Sequence, residues 1–194
     1  MRADSINVNS GKFGAVDRTD LPSPVVRDYR QEVLRQSDDT NTAITLTVAQ
    51  SGALFLFDED ETYAITLPAV TKDDVGISYT FMETIASNTD RTIDTGYDND
   101  YYVGSLVVLP SAVWASGTAQ DGLAANIVAN AANDVQITFD DNLANGAGGV
   151  GSIVKVTAVV TGNTGAGGGA KLVWAVTGQM FTADPNSNGT EIFT

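Results

Sequence analysis

The chain contains no cysteine and no histidine. It therefore forms no disulfide and no Ser-His-Asp or Cys-His site, and a structural zinc site would lack both of its usual ligands. Positive charge is scarce: 10 lysines and arginines stand against 24 aspartates and glutamates, a formal net charge of -14. Nucleic-acid binders draw their affinity from basic side chains that displace counterions from phosphates, so DNA or RNA is not an expected partner. Long apolar runs are missing as well. The greasiest stretch, Leu106 to Trp114, is interrupted by Pro110 and falls short of the ~20 residues of a membrane-spanning helix. The first ten residues hold no apolar signal core. These absences lead to the expectation of a soluble protein with no membrane contact and no cofactor.

What is present reads as β structure. Hydrophobic residues make up 43% of the 194 and charged ones 18%, a balance that suits one packed domain with accessory arms. Ile44, Leu46 and Val48 alternate with polar residues, and Leu54 to Phe57, Tyr63 to Leu67 and Gly76 to Glu83 follow at short intervals, which reads as a β meander. Further strands are expected at Arg91 to Asp94, Tyr102 to Leu109, Asn126 to Val128, Val135 to Phe139, Ser152 to Val160 and Lys171 to Thr177. No internal repeat is evident. The expected fold is all-β, an antiparallel β-sandwich or small jelly-roll-like β-barrel spanning residues 42–178, with an extended N-terminal arm (1–41) and a C-terminal tail (179–194).

The arm carries one expected helix, Pro24 to about Gln36. Ser23-Pro24 supplies a cap and a first-turn proline, and Val26, Tyr29 and Val33 fall on one face. A helix this short must dock on something, so those three residues are candidate partner contacts. Trp114, in a loop-like stretch after Pro110, is another. In the tail, Ile192 and Phe193 sit in a segment able to pair with a sheet edge and complete the set.

Four motifs invite chemistry, and each has a plainer reading. Gly165 to Leu172 approaches a phosphate-binding loop, but Ala170 and Leu172 stand where glycine and a hydroxyl residue are needed, and a strand follows where a helix should. Asp184 to Gly189 matches the first half of a calcium loop without its closing glutamate, and reads as an Asx-rich turn. Asp58-Glu-Asp-Glu61 reads as a solvated, mutually repelling hairpin tip rather than an acid-base pair. Asp98-Asn-Asp100 beside Tyr101-Tyr102 offers acceptors and rings to a sugar, or simply a turn entering a strand. No metal site or catalytic residue is assigned, and the protein is expected not to be an enzyme.

The succession Leu46-Thr-Val48, Ser51-Gly52, Phe55-Leu-Phe57, Ile65-Thr-Leu-Pro68 and Gly76-Ile-Ser-Tyr79-Thr-Phe81 resembles the opening of virion structural proteins of tailed double-stranded DNA bacteriophages, capsid decoration (cement) proteins among them. Val150-Gly-Ser-Ile-Val-Lys-Val156 and Trp174-Ala-Val-Thr-Gly178 are similar to that family's closing strands, with Ser152 where an aspartate would follow the glycine. The resemblance implies a protein on the outer surface of a capsid, bound to the major capsid protein, commonly as a homotrimer, and clamping neighbouring capsomers. A tail or head-fibre module that binds a host glycan is the alternative.

Overall fold

Each expected strand in the body forms, the first of them cut short at residue 45 by a 3-10 turn over 48–50, but within residues 33–94 consecutive strands do not pair with each other. The computed structural model describes residues 31–96, 101–110, 125–128, 134–140, 147–160, 172–182 and 192–193, and its strands divide between two sheets. The chain runs from β1 (Val33–Arg35) across to β2 (Ala43–Thr45), back to β3 (Leu54–Phe57), and across again to β4 (Tyr63–Thr66). It then repeats the movement with β5 (Ser78–Glu83) and β6 (Arg91–Asp94). β1, β3 and β5 lie parallel and adjacent in one sheet; β2, β4 and β6 do so in the other. Parallel neighbours need a long crossover. Here each crossover is a strand of the opposite sheet.

The first turn of this coil has the same offset in both sheets, with Val33 beside Leu54 and Ala43 beside Ala64. The remaining strands close the stack. They are β7 (Tyr102–Pro110), β8 (Ala125–Val128), β9 (Gln136–Phe139), β10 (Gly149–Val160) and β11 (Leu172–Thr182). β9 runs antiparallel to β6, and β10 runs antiparallel to both β5 and β11. The result is a sheet of order β1-β3-β5-β10-β11-β7-β8 and another of order β2-β4-β6-β9.

The expected antiparallel meander is thus replaced by mixed sheets in which five of the nine pairings among the described residues are parallel. The helix expected to reach Gln36 does not do so, because Val33–Arg35 joins the ladder beside β3 and a 3-10 turn, Gln36–Asp38, follows. Backbone pairing has overridden a weak helical spacing. Residues 24–30 lie outside the described residues. Val33–Thr194 clusters as one compact unit, so the body takes in β1 upstream of residue 42 and continues through β11 beyond residue 178.

Alternation decides what is buried. Phe55 and Phe57 of β3, Tyr79 and Phe81 of β5, and Val154, Val156 and Ala158 of β10 turn inward, as do Tyr63 and Ile65 of β4 and Ile93 of β6. All belong to one hydrophobic cluster shared by both sheets. Rings meet across it, with Phe55 and Tyr63 centred 5.7 Å apart and Phe57 and Phe139 5.2 Å apart. Trp174 is fully buried beside Tyr79, as its alternation with Leu172 and Val176 suggests. A bulge near the start of β10 is pinned by Ser152, whose hydroxyl donates to Gly149 O (2.6 Å) and accepts from Phe181 N (2.8 Å). A serine there holds two strands together from inside.

Candidate functional site

Three arches, residues 36–42, 58–62 and 84–90, carry the chain from the larger sheet to the smaller one, and polar side chains tie each to the next. Asp58 accepts from Ser37 N (2.9 Å) and Ser37 Oγ (2.8 Å) and pairs with Arg35 Nε at 3.0 Å. Asp60 reaches the other way, accepting from Ser87 Oγ (2.7 Å) and Asn88 N (3.0 Å). These bonds, Ser87's foremost, hold the Asp60 carboxyl below its ordinary range. Between them, Glu59 O accepts from Arg91 Nη2 (2.8 Å) and Glu61 O from Gln36 Nε2 (3.1 Å). The expected hairpin tip is instead a clasp in the middle of the coil, with Glu59, Asp60 and Glu61 exposed to solvent as expected.

Beneath the clasp lies a buried ion pair. Glu83 ends β5 and Arg91 begins β6, and their charged groups meet at 2.9 Å with side chains 0% and 1% exposed. The guanidinium also sits 5.8 Å from the centre of the Phe57 ring. Burial pulls Arg91 below its ordinary value while Glu83 opposes the shift. Close by, a hydrogen bond with Asp140, helped by desolvation, raises Asp90 above the usual carboxylate range. The pair joins one sheet to the other through charge rather than through backbone.

The first two arches also enclose a cavity of about 360 Å³ whose walls include Gln36, Asp39, Glu59, Glu61 and Tyr63. Asp39 accepts from Asn41 N (2.9 Å), Asn41 Nδ2 (2.7 Å) and the Tyr63 hydroxyl (2.8 Å), bonds that lower its pKa, the Asn41 backbone first. Burial and then Asp39 push the Tyr63 phenol upward. Among the described residues no lysine or arginine lines the cavity. Among the described residues no cluster of three or more carboxylates is placed to hold a metal ion. The arrangement is rich in hydrogen-bond acceptors.

Of the candidate contacts, Val33 is 49% exposed at the edge of its sheet. Val26, Tyr29 and Trp114 lie outside the described residues, as do 98–100, 165–171 and 184–189. Ile192 and Phe193 do pair with a sheet edge. Ile192 O accepts from Thr138 N (2.8 Å), and Phe193 bridges to Ile137. They are 0% and 8% exposed, and Phe193 packs against Tyr102, so their side chains are occupied within the chain rather than offered to a partner. Tyr102 is itself fully buried, with its hydroxyl donating to Ile93 O (3.1 Å), which removes it as a stacking platform for a sugar. Sequence reading missed Gln36, Ser87 and the Glu83–Arg91 pair. Parity held a signal for the last, since Glu83 continues the inward row of Tyr79 and Phe81, and Arg91 precedes inward Ile93 by two. No protein-family model, curated protein or solved structure matches the chain.

Proposed function

We propose that this protein is a non-enzymatic structural component of a bacteriophage virion. In this reading it binds the outer surface of the capsid, contacts the major capsid protein and its own copies as a homotrimer, and bridges neighbouring capsomers. Its two sheets, facing one core, act as a β-sandwich. The observation that carries the reading is the clasp: Asp58 and Asp60 reach in opposite directions to fasten successive arches. Carboxylates that could serve chemistry are spent on cross-bracing, which suits a body that must transmit load across a seam. Several weak symmetric contacts would then add up to firm attachment through simultaneous engagement. The resemblance of the strand and turn succession to decoration proteins supports the same role. The rival reading, a fibre module for a host glycan, is weakened by the burial of Tyr102.

Copy number in purified virions tests this directly. Hundreds of copies per particle, and particles that lose heat and osmotic resistance when stripped of the protein, are the expected result. A handful of copies, or stripped particles as resistant as intact ones, would refute it.

A further inference from the structure

The outward side of the larger sheet differs in chemistry from the arches. Side chains that alternate with the buried ones stand there in rows, and one row runs Leu56, Met82, Ile153, Gln179 and Val107 across five adjacent strands. The next row runs Val33, Leu54, Thr80, Lys155, Thr177 and Ser105. All are at least partly open to solvent, Val33 at 49% and Val107 at 39%. No acid points outward from β1, β3, β5, β7, β10 or β11, and their only outward charges are Lys155 and Arg35, which Asp58 already engages. At about 4.8 Å between strands and about 3.3 Å per residue, these six strands present roughly 700 Å² of face. A standard interface takes about 800 Å² from each partner, so the face is of the right size for one.

We infer that this face, centred on Leu56, Met82 and Ile153, is the surface through which copies of this chain associate. Charge selects the occupant. Copies meeting over the arches would set Asp58, Glu59, Asp60 and Glu61 against their like in a chain of net charge -14, whereas here each copy offers an apolar row and no acid. Lys155 stands one row from that centre, so its stem covers the margin of the contact while its ammonium stays in water. That copies associate at all rests on the homotrimer proposed above; which surface they use rests on the face itself.

The test is sedimentation velocity of the full chain over a concentration series. The parent is expected to associate, and Met82→Glu/Ile153→Glu, which sets acids against acids across the contact, to weaken association at least about tenfold. Val48→Glu/Val75→Glu adds the same two charges at exposed positions on connectors and should leave it unchanged. Should the first pair of substitutions unfold the chain, Met82→Cys gives an independent reading. Its thiol is the only one in the sequence, and its alkylation should slow as the protein is concentrated. A parent that stays monomeric, association unmoved by the Met82 and Ile153 changes, equal weakening by the Val48 and Val75 changes, or a thiol that reacts equally fast at every concentration would overturn the inference. So would a monomeric parent whose capsid binding is lost with Met82→Glu/Ile153→Glu, since the face would then belong to the capsid. Association through this face by a protein absent from virions would refute the virion reading and leave this inference standing.

Discussion

Arg91 and Glu83 are each nearly inaccessible to water, so neither tolerates loss of the other. Replacing Glu83 by leucine strands a guanidinium in the core and is expected to cost about 3–5 kcal/mol, read from urea midpoints at constant m. The double variant Glu83→Leu/Arg91→Met removes both charges, and should return to within about 1 kcal/mol of the parent despite the donor lost at Glu59 O. If the double variant were as unstable as the single one, the pair would be contributing packing rather than compensating charge. Asp90 behaves in the opposite sense to Asp39, Asp60 and Asp74. Its folded-state pKa is raised, so its contribution is complete below the unfolded value and is lost as pH rises through the folded one. Asp90→Asn keeps a donor toward Asp140 at every pH. It should therefore be more stable than the parent at pH 7, with the difference shrinking as the buffer is taken below the carboxylate range. Asp39, Asp60 and Asp74, all lowered by hydrogen bonds, work the other way and lose their contribution as pH falls.

β1 shows what an element owes to its neighbours. Three residues are too few to form a strand unaided, yet Val33–Arg35 is held beside β3 and leads into the bonds of Arg35, Gln36 and Asp39 with the second arch and Tyr63. A chain beginning at Thr42 should therefore melt at least about 5 °C below one beginning at Val33, since a few bonds of about 1 kcal/mol each are lost. Equal melting temperatures would mean that the first arch is merely laid on the body. The nine described strands of four or more residues were legible because alternation over that length is a strong signal. Their pairing was not legible, because parity says which residues turn inward but not which sheet a strand joins. One sign was available: residues 42–83 contain no Asn-Gly or Asp-Gly, the dipeptides that close tight hairpins, and the connectors 46–53 and 67–77 are long and carry 3-10 turns. The cavity stayed hidden for the same reason. Gln36, Glu61 and Tyr63 become neighbours only once the arches stack.

For the molecule as a whole, the distribution of charge matters more than its total. The strands β1, β3, β5, β7, β10 and β11 contain three charged residues, Arg35, Glu83 and Lys155, and the acidic one of these is buried. Among the described residues the acids are therefore concentrated in turns and loops, and the outward side of the larger sheet is where two copies meet with least repulsion. If copies associate as proposed, salt should strengthen the association by screening the like charge left around the contact. Going from 0.01 M to 0.15 M ionic strength shortens the screening length from about 30 Å to about 8 Å. Sedimentation velocity across one salt series is expected to show this strengthening. If self-association instead weakened as salt rises, copies would be joining through attraction between opposite charges away from this sheet. The larger sheet would then be free for another partner.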